Sequence, residues 1–182
     1  IAVLYQNDAY GKAGLDGVNL ALGAQNLKPV AQATVERNSV DVAASVSKLL
    51  ATTPDAIVQI SAYKSCAAFI RAARKAGYGG TFYNVSFVGT QALADELGKD
   101  GAGVVVSQVM PTPYTQSRPI TREFLDAIKQ GGNKVQANFS SMEGYVAAKV
   151  FAEGLRNAGP RITRETLISG LESIGTQSVG GF

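Results

Sequence analysis

The chain contains no histidine and only one cysteine, Cys66, among its 182 residues. Without imidazole or a second thiol, it cannot form a Ser-His-Asp or Cys-His catalytic arrangement, a zinc site of thiolate and imidazole ligands, or an internal disulfide. Cys66 falls on the apolar side of a predicted helix, where a small buried hydrophobe is favoured over a reactive thiol. These absences predict a protein that holds no metal and is not an enzyme.

Three further features are missing. No apolar run approaches the roughly eighteen residues of a membrane span, and the lysines and arginines behind the net charge of +3 are scattered, which argues against a nucleic-acid partner. Neither G-x-G-x-x-G after the first strand nor G-x-x-x-x-G-K-[ST] occurs, so no nucleotide cofactor is predicted. With 46% hydrophobic residues the chain is predicted to be globular. Because it opens inside a strand, we expect it to be a fragment.

Strands and helices alternate over the first 110 residues. The central stretch, DAIVQISAYKSCAAFIRAARKAGYGGTFYNVSFVGTQAL, predicts strand, helix, strand and the start of another helix. Counting along the chain gives five strands, the last at 103–109, separated by four helices, of which the second is expected to be capped by Ser39 or Asp41. This pattern favours an α/β fold with a doubly wound, Rossmann-like parallel sheet of strand order 2-1-3-4-5.

The pattern changes at the proline-rich segment that begins at Pro111. Beyond it we predict helices at 120–130, 140–157 and 164–173, the last capped by Thr163, and no convincing strand. The boundary divides the chain into 1–110, an α/β domain, and 111–182, a crossover with helices. The first domain is expected to cover both faces of its sheet with its own helices, so the second set needs a sheet outside this chain. One apolar face of these helices would be exposed in the isolated chain, and we therefore expect the chain to self-associate. This face consists of Phe139, Met142, Val146, Val150 and Phe151.

Ligands of open parallel sheets bind outside the carboxyl ends of the strands. This places five candidates at one edge: Asp8, Tyr10, Ser61, Tyr63 and Ser86. A tyrosine here can wall a ligand or brace its loop, and a serine can bind a ligand or cap a helix. Asp8 can be a ligand or an N-cap, and the cap is favoured.

Five segments together resemble the leucine/isoleucine/valine-binding type of periplasmic substrate-binding protein, the type I receptors of ABC importers. They are YQNDAYGKAGLDGV, DAIVQISAYKSCAAFIRAARKAGY, FYNVSFVG, GVVVSQVMPTP and FSSMEGYVAAKVFAEGLRNAG. The resemblance implies two hinged α/β lobes, a membrane permease as partner, and a periplasmic or extracellular location behind a signal peptide. Residues 1 to about 109 would be similar to the second lobe. Residues from about 111 onwards would be similar to the helices that return to the first lobe, whose sheet would precede Ile1.

The resemblance also implies a function and a site. The protein would bind a small polar metabolite, an amino acid or an organic or aromatic acid, without catalysis or cofactor. The cleft positions of the family fall on Tyr10, Tyr63 and Ser86. Amino-acid binders carry an acidic residue near the last position, so Ser86 predicts a ligand without an ammonium group.

Two other functions remain open at this point. A ligand-sensing domain of a receptor or regulator would have the same fold, and a transmembrane or DNA-binding segment next to the chain would indicate it, whereas a signal peptide would indicate transport. An α/β enzyme is the third alternative, disfavoured by the missing histidine and phosphate loops.

Overall fold

A computed structural model describes residues 1–132 and 134–175. The chain forms two compact units, Ile1–Val109 and a second that begins at Met110, and each is described by itself. Among the described residues, no helix combines the length and the apolar character needed to cross a membrane.

The first unit is an all-parallel sheet with helices between its strands. The strands are β1 Ala2–Gln6, β2 Ala31–Val35, β3 Ala56–Ile60, β4 Thr81–Asn84 and β5 Val105–Val106. The helices are α1 Ala9–Gly23, α2 Ala43–Leu50, α3 Tyr63–Lys75 and α4 Thr90–Leu97, with 3-10 turns at Ser86–Val88 and Gly98–Gly101. The sheet order is β2-β1-β3-β4-β5, which confirms the predicted order.

The central strands are buried on both faces, as their short apolar runs predict. Ile57 of β3 is 0% exposed on one face and Ile60 is 1% exposed on the other. The Ile57 side packs with α2, α3 and α4 around Phe69 and Phe82. On the Ile60 side, Gly14 lets α1 approach so closely that an added Cβ would lie 2.5 Å from Cγ2 of Ile60.

The expectation that this unit covers both faces of its sheet is wrong at the β4–β5 end. Tyr83 and Val105 are register partners on these strands and remain 44% and 43% exposed. The reason is the reach of α1, which packs over β1 and β3 and leaves the last two strands open on that face.

Two local predictions also need correction. The strand expected at 103–109 is limited to Val105–Val106, and its late start follows from Gly103, whose φ of +78° is not extended. Neither Ser39 nor Asp41 caps α2, whose N-cap is Val42 without a side-chain bond. Ser39 Oγ instead accepts a hydrogen bond from Asp41 N–H at 3.1 Å, which closes the preceding turn.

The second unit is helical over its described residues. Its helices are α5 Pro119–Gln130, α6 Phe139–Ala158 and α7 Arg164–Glu172, each within two residues of the predicted bounds. Thr163 is the predicted N-cap of α7, and its Oγ1 accepts from Thr166 N–H at 3.2 Å. Asn138 caps α6 in the same way through Ser141 N–H at 2.8 Å.

Part of the apolar face predicted on α6 is covered inside this unit. Met142 and Val146 are 0% and 6% exposed, and they pack against Ile120 and Phe124 of α5. Phe151, the residue directly after Val150, remains 49% exposed. The need for a partner surface therefore falls on the Phe151 end of the face.

Helices α6 and α7 touch through two glycines. A Cβ on Gly170 would collide with the carbonyl oxygen of Gly154, and a Cβ on Gly154 would collide with the Leu171 side chain. Gly144, in the same helix as Gly154, has open space around it. The close contact therefore depends on glycine, which has no side chain, at positions 154 and 170.

Gly170→Ala should destabilise the α6–α7 pair by roughly 1–3 kcal/mol, because the backbone of α6 must move away. Gly144→Ala is the matched control, and it should stabilise α6 by up to about 1 kcal/mol because alanine is the better helix former. Hydrogen–deuterium exchange of the α7 amides measures the first change, and exchange of the α6 amides measures the second. Unchanged α7 protection in Gly170→Ala would contradict the close contact.

Self-association of the 182-residue chain stays a prediction, now centred on Phe151. We expect sedimentation velocity to show a concentration-dependent increase in mass, and Phe151→Ser should reduce it by removing exposed apolar area. Leu20→Ser is the control, since Leu20 is 79% exposed on a helix of the first unit. A chain that stays monomeric at all concentrations would contradict the prediction.

Candidate functional site

Four segments of the first unit meet at the carboxyl edge of its sheet. They are the β1–α1 loop with Asp8, the β3–α3 loop with Ser61, the turn after β4 with Ser86, and Ser107 after β5. The parallel register joins β1 to β3 and β3 to β4, so the first three follow neighbouring strands. All five predicted site residues therefore belong to one edge.

Asp8 is the N-cap of α1. Its Oδ1 accepts from Gly11 N–H at 3.0 Å, and its Oδ2 accepts from Nε2 of Gln6 at 2.6 Å. These two hydrogen bonds, with a smaller effect of the Arg37 charge, lower the pKa of Asp8 below its ordinary value. Asp8 is therefore an N-cap, the role favoured from the sequence, and both of its carboxylate oxygens already have partners.

Tyr10 lies in the first turn of α1 and packs against Phe87, with ring centroids 4.5 Å apart and planes tilted by 45°. Its hydroxyl is buried, although the residue as a whole is only partly so. Burial, followed by the nearby Cys66 and Asp8 groups, raises the pKa of Tyr10 to about 12. The phenol is therefore a neutral hydrogen-bond donor at physiological pH.

Buried polar atoms without a partner gather at this edge. Four of the five found among the described residues are Tyr10 Oη, Gln59 Oε1, Ser61 Oγ and Asn84 Oδ1. Gln59 and Asn84 are register partners on β3 and β4. Each has used its amide N–H on a backbone carbonyl, of Cys66 and Val105 respectively, both at 3.4 Å.

These four atoms comprise two hydroxyl donors and two amide acceptors. An unpartnered buried polar atom costs about 1–3 kcal/mol, so each of these four atoms calls for an explanation. Unmet hydrogen-bonding capacity of both kinds suits a ligand's polar group or ordered water. We refer to Tyr10, Gln59, Ser61 and Asn84 as the buried polar cluster.

Cys66 supports this region without reacting. It is 0% exposed, and its thiol contacts the carbonyl oxygen of Ser61 at 3.5 Å. Burial raises the pKa of the thiol to about 12, so it stays protonated. This agrees with the sequence-based interpretation of Cys66 as a buried hydrophobe.

The other predicted residues lie nearer the surface. Tyr63 is the first residue of α3, half-buried against the core, with Lys64 Nζ 6.0 Å from its ring centroid. Ser86 is half-buried and begins the 3-10 turn after β4. Ser61 differs from both, since it is 0% exposed and lies beneath the loops.

Sequence reasoning missed three residues of this edge: Gln59, Asn84 and Phe87. Gln59 and Asn84 could have been found, because an amide inside a strand buried on both faces is the informative exception to an apolar run. Phe87 could not be separated from an ordinary loop aromatic, because its contact with Tyr10 joins segments 77 residues apart.

The first unit is an open α/β domain with polar side chains at the carboxyl edge of its parallel sheet. A family model described as "Periplasmic binding protein" matches residues 1–182. The chain belongs to the periplasmic binding protein family, of the type I, leucine/isoleucine/valine-binding-like group of ABC transporter substrate-binding proteins. No curated protein sequence is a match to it.

Solved structures of similar fold span about twice the length of this chain. A substrate-binding periplasmic protein from Ralstonia solanacearum is 37% identical over 99% of this chain and 52% of its own, with a TM-score of 0.90. A structure described as "a possible leucine/isoleucine/valine-binding protein", from Rhodopirellula baltica, is 29% identical over 99% of this chain and 50% of its own, with a TM-score of 0.93. An extracellular ligand-binding receptor from Verminephrobacter eiseniae is 26% identical over 100% and 52%, with a TM-score of 0.80.

Asp8→Asn should lower the melting temperature at pH 7, because the ionised carboxylate accepts two hydrogen bonds in the folded state. The pKa of Asp8 is lower in the folded than in the unfolded chain, so its contribution is present above the ordinary value of 3.8 and is lost as pH falls below it. The difference from the unmodified protein should shrink between pH 7 and pH 3. Thermal unfolding at both pH values checks this, with Asp16→Asn in the same helix as control. An equal difference at both pH values would contradict it.

Proposed function

We propose that the protein is the solute-binding component of an ABC importer, non-catalytic and located in the periplasm or outside the cell. It binds a small organic acid or other polar metabolite at the carboxyl edge of the first unit. The buried polar cluster is the observation that carries the proposal, because unmet donors and acceptors at the ligand edge of an open parallel sheet call for an occupant. The membrane permease is the protein partner, as in the family.

The ligand of this edge lacks an ammonium group. An ammonium taken out of water needs a carboxylate, and without one the cost is several kcal/mol. The carboxylate beside Tyr10 is that of Asp8, which is already bound by Gly11 N–H and Gln6 Nε2. Glu36, next along the edge, accepts from Nδ2 of Asn7 at 2.7 Å. Ser86 offers a hydroxyl, which recovers only about 1 kcal/mol.

A carboxylate suits the same edge better. No side chain among the described residues caps α3, whose N-cap is Ala62, so its first amide N–H groups point towards this edge without a side-chain acceptor. Ser61, directly before Ala62, has its buried hydroxyl unpartnered. Lys64 adds an exposed positive charge in the first turn. Tyr63 and Tyr10 then serve as walls, and Ser61 and Ser86 as hydrogen-bonding groups.

The division into lobes is part of the proposal. Residues 1–110 form one lobe, and the helices from 111 onwards return to another lobe whose sheet lies outside this chain. The observed units, with their boundary between Val109 and Met110, support this division. The sensing-domain alternative gains nothing from the family match, which is to substrate-binding proteins.

Thermal-shift screening of the protein at its full natural length tests the ligand class. We expect stabilisation by organic acids and none by leucine or valine, because the acids need no counter-charge for an ammonium. Tyr63→Ala should weaken the bound acid about tenfold, or ~1.4 kcal/mol, by removing one wall. Tyr83→Ala is the control, since Tyr83 is an exposed tyrosine inside β4.

Stabilisation by leucine or valine but not by organic acids would refute the ligand class. Equal affinity in Tyr63→Ala and Tyr83→Ala would refute the role of Tyr63 while leaving the class intact. Turnover of the bound solute would revive the enzyme alternative.

A further inference from the structure

Phe87 has an exposed aromatic ring, which the turn after β4 keeps out of the core. It is 64% exposed, although it follows β4 directly and its neighbour Val88 is 2% exposed. The 3-10 turn Ser86–Val88 is closed by Val88 N–H to Val85 O at 3.0 Å and by Gly89 N–H to Ser86 O at 3.1 Å. Since Val88 takes the inward position, the ring of Phe87 is left outside.

The backbone after this turn keeps the arrangement in place. Gly89 has φ of +74°, a conformation that favours glycine, and it is the N-cap of α4. The buried side chain of Val88 packs in the same core as Leu93 of α4. Phe87 therefore stands on a short hydrogen-bonded turn rather than on a long loop.

One side of the Phe87 ring meets Tyr10, with ring centroids 4.5 Å apart, and most of the ring's surface remains open. The Tyr10 hydroxyl is buried away from solvent and belongs to the buried polar cluster. Asn84 of that cluster lies three residues before Phe87, 3% exposed and with Oδ1 unpartnered. A flat apolar surface and a group of unmet polar atoms thus occupy the same end of β4.

We propose that Phe87 selects the ligand by stacking on it, so that the solute of this edge is an aromatic acid. Its ring lies against Phe87, and its carboxylate is held at the β3–α3 loop. Aromatic rings attract one another in offset or tilted geometry beyond the apolar area they bury, whereas a puckered ring of similar size cannot make that contact. This inference rests on the proposed function and narrows its ligand class.

The test compares matched acids that differ in ring flatness, on the protein at its full natural length. The pairs are benzoate and cyclohexanecarboxylate, phenylacetate and cyclohexylacetate, and 3-phenylpropionate and 3-cyclohexylpropionate. Calorimetry should show the aromatic member of at least one pair bound about fivefold to tenfold more tightly than its saturated partner, the upper part of the range for one aromatic contact.

Three variants separate stacking from simple apolar contact. Phe87→Leu keeps most of the apolar volume but removes the flat ring, and it should reduce the aromatic preference to about twofold or less. Phe87→Tyr keeps the ring and should retain the preference. Leu20→Ala, at a site 79% exposed on α1, should change neither affinity nor preference. Circular dichroism checks that each variant is folded.

Each outcome supports or overturns a defined step. Binding of saturated acids as tightly as aromatic ones, or an unchanged preference in Phe87→Leu, would overturn the role of Phe87 while the proposed function stands. Binding of leucine or valine with no response to any acid would overturn both. A full panel in which aliphatic acids bind and no aromatic acid does would also overturn the stacking proposal.

Discussion

Parallel hydrogen bonding between β1, β3 and β4 is the constraint on which the first unit depends. Parallel neighbours need a crossover between them, so every strand here ends at the same edge and every helix begins there. The loops after β1, β3 and β4 are brought together by the ladder, whatever their sequence. The residues in those loops then decide what the edge can bind.

The helices that begin at this edge differ in how their first amide groups are satisfied. In α1 the Asp8 carboxylate takes this role, and the helix brings its own negative charge. In α3 no side chain of the described residues does so, and the buried hydroxyl of Ser61 beside it has no partner. This difference between α1 and α3 is why the proposed function places the carboxylate of the ligand near α3.

The buried polar cluster gives the same edge its chemical variety. Folding ordinarily satisfies buried polar groups, because leaving one unpaired costs as much as a typical hydrogen bond contributes. Gln59 and Asn84 each spend their N–H on a carbonyl and keep a free acceptor. This incomplete pairing is the observation on which the proposed function rests.

The sequence by itself determined the alternation of strands and helices, the strand order, the cap at Thr163 and the buried state of Cys66. These follow from periodicity, β-branched runs and local hydrogen bonding, which act within a few residues. It also led to the family through five ordered segments, which the match over residues 1–182 bears out.

Only the tertiary structure decided which candidate side chains are free. Asp8 is engaged through Gln6 as well as its own helix, and the Phe87–Tyr10 contact joins distant segments. Tyr83 and Val105 stay exposed because α1 packs mainly over β1 and β3. Each depends on packing between elements far apart in the chain. The local sequence pattern carries no information about such contacts, because it is the same whichever distant residues pack against it.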